Sequence, residues 1–351
     1  MRVLIVKLTS MGDLVQALPA LTDAREALPG IEFDWAVDEA FAEIPGWHPA
    51  VSKTLCTAHR RWRGQWPVLS RNGELRRFIH ALRATRYDAV IDAQTNLKSA
   101  VVTRLSKGFR HGPDSASVRE WGAHLAYNQT YAIAKNQLAI DRWRQLFAQV
   151  LGYALHDTPP HFGLDTDGWA TPQLTLPAIP YVVFVQNASW PNKRWRDDYW
   201  RQLIERAGRE NYAVLLPWGS AAEQTQAQTL ASGYQHAQVL PRLSLTELAG
   251  VLLSSDGAVC VDTGLAHVSA ALDVPTVTLY GATDPALIGA TGGRSVHLVA
   301  TDYPCIPCYK RHCQVAGYRG DDAQCMTTLE VDQVWRKLQT LMGNPRVNLV
   351  N

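Results

Sequence analysis

The sequence contains no apolar run of the roughly 18 to 20 residues that a helix needs to cross a bilayer. It also has little excess of charge, because the formal net charge of its 351 residues is only +2. A near-neutral chain gives no global nucleic-acid signal, so any basic surface is local. The opening MRVLIVKLTSMGDL has a short apolar run that Lys7 interrupts, which favours a β-strand over a signal peptide. We therefore expect a cytoplasmic protein with no nucleic-acid partner.

Two signatures of large enzyme classes are missing as well. Residues 9–13, after the first expected strand, do not supply G-x-G-x-x-G, which argues against a nicotinamide dehydrogenase. The triplet Asp262-Thr263-Gly264 occurs once, whereas aspartic-protease chemistry needs two carboxylates that share a proton. No solenoid or propeller repeat and no low-complexity tract is present.

Segments typical of strands and helices alternate with short connections, which predicts parallel sheets with helices on both faces. The expected strands include 2–7, 33–37, 87–93, 181–186, 213–217, 258–261 and 276–280. The expected helices include 14–28, 97–105, 137–151, 197–207, 221–231, 243–253, 265–272 and 331–342. A stretch rich in Pro, Thr and Asp at 161–180 is the best candidate for a linker. We expect an α/β fold with two Rossmann-like domains, 1–160 and 181–330, facing each other across a cleft, and a C-terminal helix and tail at 331–351.

Residues 257–285 form the most informative stretch. A short apolar strand, a polar turn and a helix with apolar spacing follow one another there, and a second strand completes a β-turn-α-β unit. The N-terminus of such a helix carries partial positive charge and free N–H groups that bind phosphate. We expect Asp262, Thr263, Gly264 and His267 to hold the diphosphate of a nucleotide-linked substrate.

Three further residues occupy strand ends, where ligands bind in open α/β sheets. Asp13 follows the first strand and is either a helix cap or a general base. Lys193 lies in the loop after 181–186 and either is solvated or neutralises a leaving diphosphate. Glu223 is in a first helical turn, where it favours the helix dipole or bonds a ribose hydroxyl.

Four of the six cysteines form C-x2-C-x4-C-x11-C, with His312 alongside. They are Cys305, Cys308, Cys313 and Cys325. So short a spacing is typical of a structural zinc or iron site, and the alternative is four reduced thiols in an irregular loop. Cys260 lies in an expected strand and belongs to the core.

The chain resembles glycosyltransferase family 9 over nearly its whole length. Its motifs are weak singly and highly specific together. In the first half they include Lys7-x-x-Ser10-Met11-Gly12-Asp13, Arg60-Arg61-Trp62-Arg63, Tyr87-Asp88-Ala89-Val90-Ile91-Asp92-Ala93-Gln94, Leu97-Lys98-Ser99-Ala100 and Arg119-Glu120. In the second half they include Lys193-x-Trp195, Leu216-Pro217-Trp218-Gly219, Val261-Asp262-Thr263-Gly264-Leu265-x-His267 and Thr283-Asp284-Pro285.

The resemblance implies a GT-B fold, with an acceptor-binding first domain and a donor-binding second domain. It implies an inverting, metal-independent transfer of L-glycero-D-manno-heptose from ADP-heptose to the first Kdo of Kdo2-lipid A. Asp13 matches the family's catalytic base. The donor site is matched by Lys193, Glu223, Asp262, Thr263, Gly264 and His267.

Basic residues of the first domain are the candidates for acceptor binding. The stretch 59–66 and the pair Arg76-Arg77 are basic, and alone they are typical of a solvated surface or a nucleic-acid patch. The resemblance assigns the acceptor to Arg60, Arg61, Arg63, Lys98 and Arg119. Such a local patch suits a monomer docked peripherally on the anionic cytoplasmic face of the inner membrane.

Alternatives remain open at this level. The cysteine cluster departs from the family member that the chain most resembles, and some members that glycosylate autotransporter proteins carry a Cys-ligated iron. A second candidate is therefore a heptosyltransferase with another acceptor, either an inner-core heptose or an autotransporter protein. A third is a non-catalytic protein that binds a nucleotide sugar or lipopolysaccharide.

Overall fold

In a computed structural model the chain divides into two compact units, Met1–Asp167 and Gly168–Asn351. The structure describes residues 1–62, 73–167, 169, 174–315 and 323–343. The division falls inside the stretch 161–180 that the sequence assigns to a linker. Within the described ranges, every helix is too short or too polar to cross a membrane.

The first unit is built on one sheet of six parallel strands. These are Arg2–Val6 (β1), Glu32–Asp38 (β2), Val51–Thr57 (β3), Arg86–Asp92 (β4), Lys107–Pro113 (β5) and Gln129–Tyr131 (β6). Their order is β3-β2-β1-β4-β5-β6, so β1 lies between β2 and β4. The strand order reverses between β1 and β4, and a crevice opens at the carboxyl ends of strands at such a point.

The helices of the first unit differ from the sequence-based expectation at the first helix, and two helices, at 59–62 and 74–83, were not expected. They are Met11–Val15 (α1), Leu18–Ala27 (α2), His59–Trp62 (α3), Glu74–Arg83 (α4), Leu97–Leu105 (α5) and Ala139–Leu151 (α6). The single helix expected over 14–28 is wrong, because α1 ends at Val15 and α2 begins anew at Leu18. Pro19 stands in the first turn of α2, where its missing N–H breaks no helical hydrogen bond.

The second unit repeats the same strand order. Its parallel strands are Tyr181–Val185 (β7), Ala213–Leu216 (β8), Ala237–Val239 (β9), Gly257–Val261 (β10), Thr276–Tyr280 (β11) and Ser295–Val299 (β12). They lie in the order β12-β11-β10-β7-β8-β9. The reversal here falls between β7 and β10, whose residues Val183 and Ala258 are neighbours in the register.

The last helix belongs to the core of the second unit. The helices are Asp197–Arg209 (α7), Ala221–Ala231 (α8), Leu245–Leu253 (α9), Gly264–Ala271 (α10), Pro285–Ile288 (α11) and Val331–Gly343 (α12). Val334, Trp335 and Leu338 of α12 are fully buried in the cluster that also covers β7, β8 and β11. The indole N–H of Trp335 donates to Glu210 at 2.8 Å. The helix expected within 331–351 therefore packs on the second sheet.

Candidate active site

Asp13 lies in α1, directly after β1, at the point where the first sheet reverses its strand order. Its Oδ2 accepts hydrogen bonds from the backbone N–H and the hydroxyl of Ser10, both at 2.9 Å. One oxygen is thus used locally, as the capping alternative predicted. In the described part of the chain no hydrogen bond reaches Oδ1, so this oxygen is available for a further hydrogen bond.

Hydrogen bonds tie the loop that carries Asp13 to the loop after β4. The side-chain oxygen of Gln94 accepts from the backbone N–H groups of Leu8 and Thr9, both at 3.1 Å. The ammonium of Lys7 donates to the carbonyl of Ala93 at 2.7 Å. Because both loops leave neighbouring strands, these bonds hold the carboxylate on a rigid support.

The electrostatic surroundings of Asp13 favour its ionised form. Lys7 is only 1% exposed, and its Nζ lies 4.0 Å from the ring centre of Trp143. Burial lowers the pKa of Lys7 to about 8. Burial also favours neutral Asp13, but the charge of Lys7, the bonds from Ser10 and the charge of Arg119 outweigh it and lower the pKa of Asp13. Asp13 is ionised at neutral pH, as a general base must be.

Three of the predicted acceptor residues lie at the same edge of the sheet as Asp13. Arg60 follows β3 in α3, Lys98 follows β4 in the first turn of α5, and Arg119 follows β5; all three are exposed. Burial lowers the pKa of His59, and the nearby charge of Lys98 adds to this effect, so Lys98 lies close to α3. The sheet thus brings Arg60, Lys98 and Arg119 toward the candidate base.

The other two predicted acceptor residues are placed differently. Arg61 forms ion pairs with Glu39 at 3.0 Å and with Glu74 at 2.9 Å. Hydrogen bonds to these two carboxylates raise its pKa. Because two carboxylates already compensate its charge, Arg61 offers little to an anionic acceptor in this arrangement. Arg63 lies outside the described residues, and acceptor binding by both arginines stays a prediction.

An ion pair spans the reversal point of the second sheet. Lys193, from the loop after β7, places its Nζ 2.6 Å from Oδ2 of Asp262, which directly follows β10. Both side chains are largely buried. The hydroxyl of Thr283 donates to the same carboxylate oxygen, and the ring centre of Trp190 lies 5.0 Å from Nζ. The sequence predicted both charged residues, but nothing in it indicated that they pair.

The N-terminus of α10 lies beside this ion pair. Thr263 is its N-cap residue, with extended backbone, and Gly264 begins the helix. His267 is buried one turn further on. Free N–H groups of a helix start, next to the cation of Lys193, form an arrangement that suits a diphosphate.

Glu223 uses one carboxylate oxygen to cap α8. Its Oε2 accepts from the backbone N–H groups of Gly219 at 2.8 Å and Ser220 at 3.0 Å, and the Ser220 hydroxyl accepts from the N–H of Glu223 at 3.4 Å. This is a capping box. Glu223 is the acid in the first turn of α8, in line with the helix-dipole alternative, and its capping bonds were not predicted. A bond from Glu223 to a ribose hydroxyl stays a prediction.

Sequence reasoning missed the residue that organises the loop after β4. Asp92 is fully buried and accepts from the N–H groups of Gln94 and Thr95, at 2.9 and 2.8 Å, and from the hydroxyls of Ser99 and Tyr127, both at 2.9 Å. These bonds position the loop between Gln94 and Lys98. The sequence shows an acid at the end of an apolar strand, but it does not indicate the four groups that donate hydrogen bonds to it.

The cysteine cluster lines one pocket of the second unit, together with Asn192 and Tyr303. The four thiols are those of Cys305, Cys308, Cys313 and Cys325. Burial and the neighbouring thiols raise the pKa of Cys325 to about 11, and the amide of Asn192 donates to Sγ of Cys308 at 3.2 Å. Among the described residues, no three His, Cys, Asp or Glu side chains are arranged to hold a metal ion. Four sulfurs are a donor set that zinc and iron accept, and metal binding here stays a prediction. Cys260 is buried in β10, as expected.

Residues 75–319 match the family described as glycosyltransferase family 9 (heptosyltransferase). The chain belongs to glycosyltransferase family 9. It is 46% identical over 356 residues to lipopolysaccharide heptosyltransferase 1 of Pseudomonas aeruginosa, covering 98% of this chain and 99% of that protein. It is likewise 46% identical over 293 residues to lipopolysaccharide heptosyltransferase 1 of Escherichia coli K12, covering 83% and 91%. The family and these relatives make the chain a glycosyltransferase of the heptosyltransferase group.

A solved structure extends the similarity to the fold. The E. coli heptosyltransferase WaaC with ADP matches with a TM-score of 0.85 at 40% identity, covering 97% of this chain and all of that one (100%). The predicted α/β fold of GT-B type, with two Rossmann-like units, is thereby confirmed.

Proposed function

We propose that this family 9 enzyme transfers L-glycero-D-manno-heptose from ADP-heptose to the first Kdo of Kdo2-lipid A, with inversion, in the synthesis of the lipopolysaccharide inner core. The observation that carries the proposal is the ionised Asp13 at the reversal point of the first sheet, with Lys98 and Arg119 at the same edge. The names of relatives that are 46% identical support the sugar and its destination.

On the acceptor side, Asp13 is the general base. Its Oδ1 removes the proton of the acceptor hydroxyl as that oxygen attacks the anomeric carbon of the heptose. Lys98 and Arg119 bind the carboxylates and phosphates of the acceptor through charge-assisted hydrogen bonds. The hydrogen bonds that hold the loop of Asp13 keep the base oriented.

On the donor side, the second unit stabilises the departing ADP. The bond from the anomeric carbon to the β-phosphate oxygen breaks as the new bond forms on the opposite face, which inverts the configuration. Lys193, His267 and the N–H groups at the start of α10 offset the charge that develops on the diphosphate. In this scheme these groups take the part that a divalent cation plays elsewhere, so no metal is required for transfer. In this scheme Glu223 lies near the nucleotide of the donor.

The base is tested with Asp13→Asn, which keeps the shape of the side chain and removes its negative charge. We expect kcat to fall by about 10²- to 10⁴-fold, because the proton acceptor is lost. The Kd for ADP-heptose, measured by calorimetry, should change less than about two-fold, since the donor residues are untouched. Glu26→Gln, an exposed acid of the same unit, is the matched control. Normal transfer by Asp13→Asn contradicts the assignment.

The acceptor is tested directly with purified enzyme and ADP-heptose. We expect transfer to Kdo2-lipid A and none to a heptosylated inner core or to an autotransporter protein. Transfer only to one of the latter would identify the alternative acceptor. Binding of ADP-heptose without transfer to any acceptor would favour the non-catalytic alternative.

The lipid nature of this acceptor also bears on location. We propose that the protein works as a monomer at the cytoplasmic face of the inner membrane and attaches peripherally.

A further inference from the structure

Four large apolar side chains are exposed next to the cations of the acceptor side. Leu97 is 53% exposed, Val101 59%, Trp121 79% and Leu125 74%. We call these four residues the Trp121 patch. Scattered apolar side chains on a surface are ordinary, but a group of large ones marks an interaction surface.

Two chain segments form one surface at the Trp121 patch. Leu97 and Val101 are one turn apart on α5 and share a face. The segment with Trp121 and Leu125 follows Glu120, whose carboxylate accepts the backbone N–H of Leu97 at 2.9 Å. Beneath them lies a small buried cluster of Ala100, Val118 and Ala123. The patch is therefore held on packed elements.

Cations surround the Trp121 patch. Lys98 and Arg104 are exposed on α5, and Arg119 is exposed just before Trp121. Arg110 donates from Nε to the carbonyl of Ala126 at 3.0 Å, which places it beside Leu125. Burial lowers the pKa of Arg110 and the charge of Arg104 lowers it further, so these two cations are neighbours.

The charges around the Trp121 patch distinguish between two partners, a second copy of the chain and an anionic bilayer. The two segments contain one acid, Glu120, which accepts a hydrogen bond from the N–H of Leu97, and the four cations outnumber it. A second copy of the chain, docked patch to patch, would bring the same cations face to face and repel. An anionic bilayer offers phosphates to the cations and an interfacial region in which an exposed tryptophan is favourable.

We propose that the Trp121 patch inserts into the headgroup region of an anionic lipid bilayer while Lys98, Arg104, Arg110 and Arg119 lie against lipid phosphates. The proposal rests on the proposed function in that the acceptor is lipid-borne. It places the docking surface beside Lys98 and Arg119. The basic stretch 59–66 is a weaker candidate, since Arg61 is paired with Glu39 and Glu74.

Flotation of the full-length protein with vesicles tests the patch. Wild type should bind vesicles of phosphatidylethanolamine and phosphatidylglycerol several-fold better than vesicles of phosphatidylcholine. The double variant Trp121→Ala/Leu125→Ala should lose about ten-fold in binding to the anionic vesicles. The matched control is Ile179→Ala/Val299→Ala, which removes two apolar side chains, each 39% exposed, from the second unit. It should change binding less than about two-fold.

A second variant tests the cations around the Trp121 patch. Arg104→Gln should weaken binding to anionic vesicles several-fold at low salt and leave binding at high salt nearly unchanged, because salt screens charges near a membrane. Unchanged thermal unfolding of all variants would exclude a folding defect, since the substituted side chains are exposed.

Transfer to a water-soluble, deacylated acceptor separates the patch from the proposed activity. Trp121→Ala/Leu125→Ala should transfer to it like wild type while failing on vesicle-borne acceptor. If wild type transfers to no Kdo acceptor, the proposed function fails, and flotation still reports on the patch. The patch proposal is overturned if the double variant floats like wild type, if wild type does not bind anionic vesicles, or if the variant abolishes self-association instead.

Discussion

Lys7 is the side chain at which stability and function oppose each other most clearly. It is 1% exposed and keeps one carbonyl and one aromatic ring as partners. Its folded pKa of about 8 lies below the ordinary value of 10.5, so the unfolded chain holds this proton more tightly. The buried ammonium therefore destabilises the fold by roughly 3 kcal/mol below pH 8, and the penalty declines between pH 8 and 10.5. Its charge also lowers the pKa of Asp13, which keeps the proposed base ionised.

Lys7→Met should separate these two effects. We expect the free energy of unfolding at pH 7, from urea titration, to stay unchanged or to rise by up to about 3 kcal/mol, because a buried charge is removed. Lys53→Met, an exposed lysine of β3, is the control. A decrease of more than about 1 kcal/mol would show that the hydrogen bond to Ala93 outweighs the cost of burying the charge.

The pH profile of kcat reports the other effect of Lys7. The pKa of Asp13 is lowered, so its base form is lost only as the pH falls through a value below the ordinary 3.8. In Lys7→Met the acid limb should move to higher pH, since the charge of Lys7 contributes most to lowering this pKa. An acid limb that stays at the same pH would show that the bonds from Ser10 and the charge of Arg119 are enough to keep the pKa of Asp13 low.

Among the structural elements, the loops after β7 and β10 depend on each other through Lys193 and Asp262. Their ion pair of 2.6 Å joins the loop that supplies the cation with the turn that the sequence predicts to bind a diphosphate. Asp262 thus holds Lys193 beside the start of α10. In the proposed reaction Lys193 serves the diphosphate from this position.

Lys193→Gln should weaken ADP binding by more than about ten-fold and lower kcat by about 10²-fold, because the cation that meets the developing charge is lost. It should also destabilise the second unit, since Asp262 is left largely buried without its counter-ion. Calorimetry with ADP and steady-state kinetics measure these effects. The control is Lys310→Gln, an exposed lysine of the same unit, which should change neither ADP binding nor kcat. Equal effects of both substitutions would exclude a specific role for Lys193.

At the scale of the whole molecule, each unit has its own sheet and its own buried core, and α12 completes the second one. Trp335→Ala should destabilise the second unit by about 3 to 5 kcal/mol, because a fully buried indole leaves a cavity. Hydrogen exchange should accelerate in β10 and β11 and remain unchanged in β1 and β4. Trp121→Ala, at a highly exposed tryptophan, is the control and should change neither set; acceleration in β1 would mean that the two units unfold together.

Segments with a clear apolar pattern were predictable. The helices α5 and α8 begin and end where the sequence indicated, and so does β11. The expected strands did not include β3, β5, β6, β9 and β12. Four of them, β3, β6, β9 and β12, lie at sheet edges, where a strand is covered on fewer sides, and the interior strand β5 lacks a continuous apolar run. The break between α1 and α2 was missed because apolar spacing continues across it.

By itself the sequence determined the α/β class, the family and the residue types of the site, since these depend on local periodicity and on motifs that span few residues. It placed Asp13, Lys193 and Asp262 at strand ends. Only the tertiary structure decided the order of the strands, the pairing of Lys193 with Asp262 and the engagement of Arg61 with two carboxylates. Those contacts join residues far apart in the chain, and their partners depend on which strands lie side by side, which no local pattern encodes.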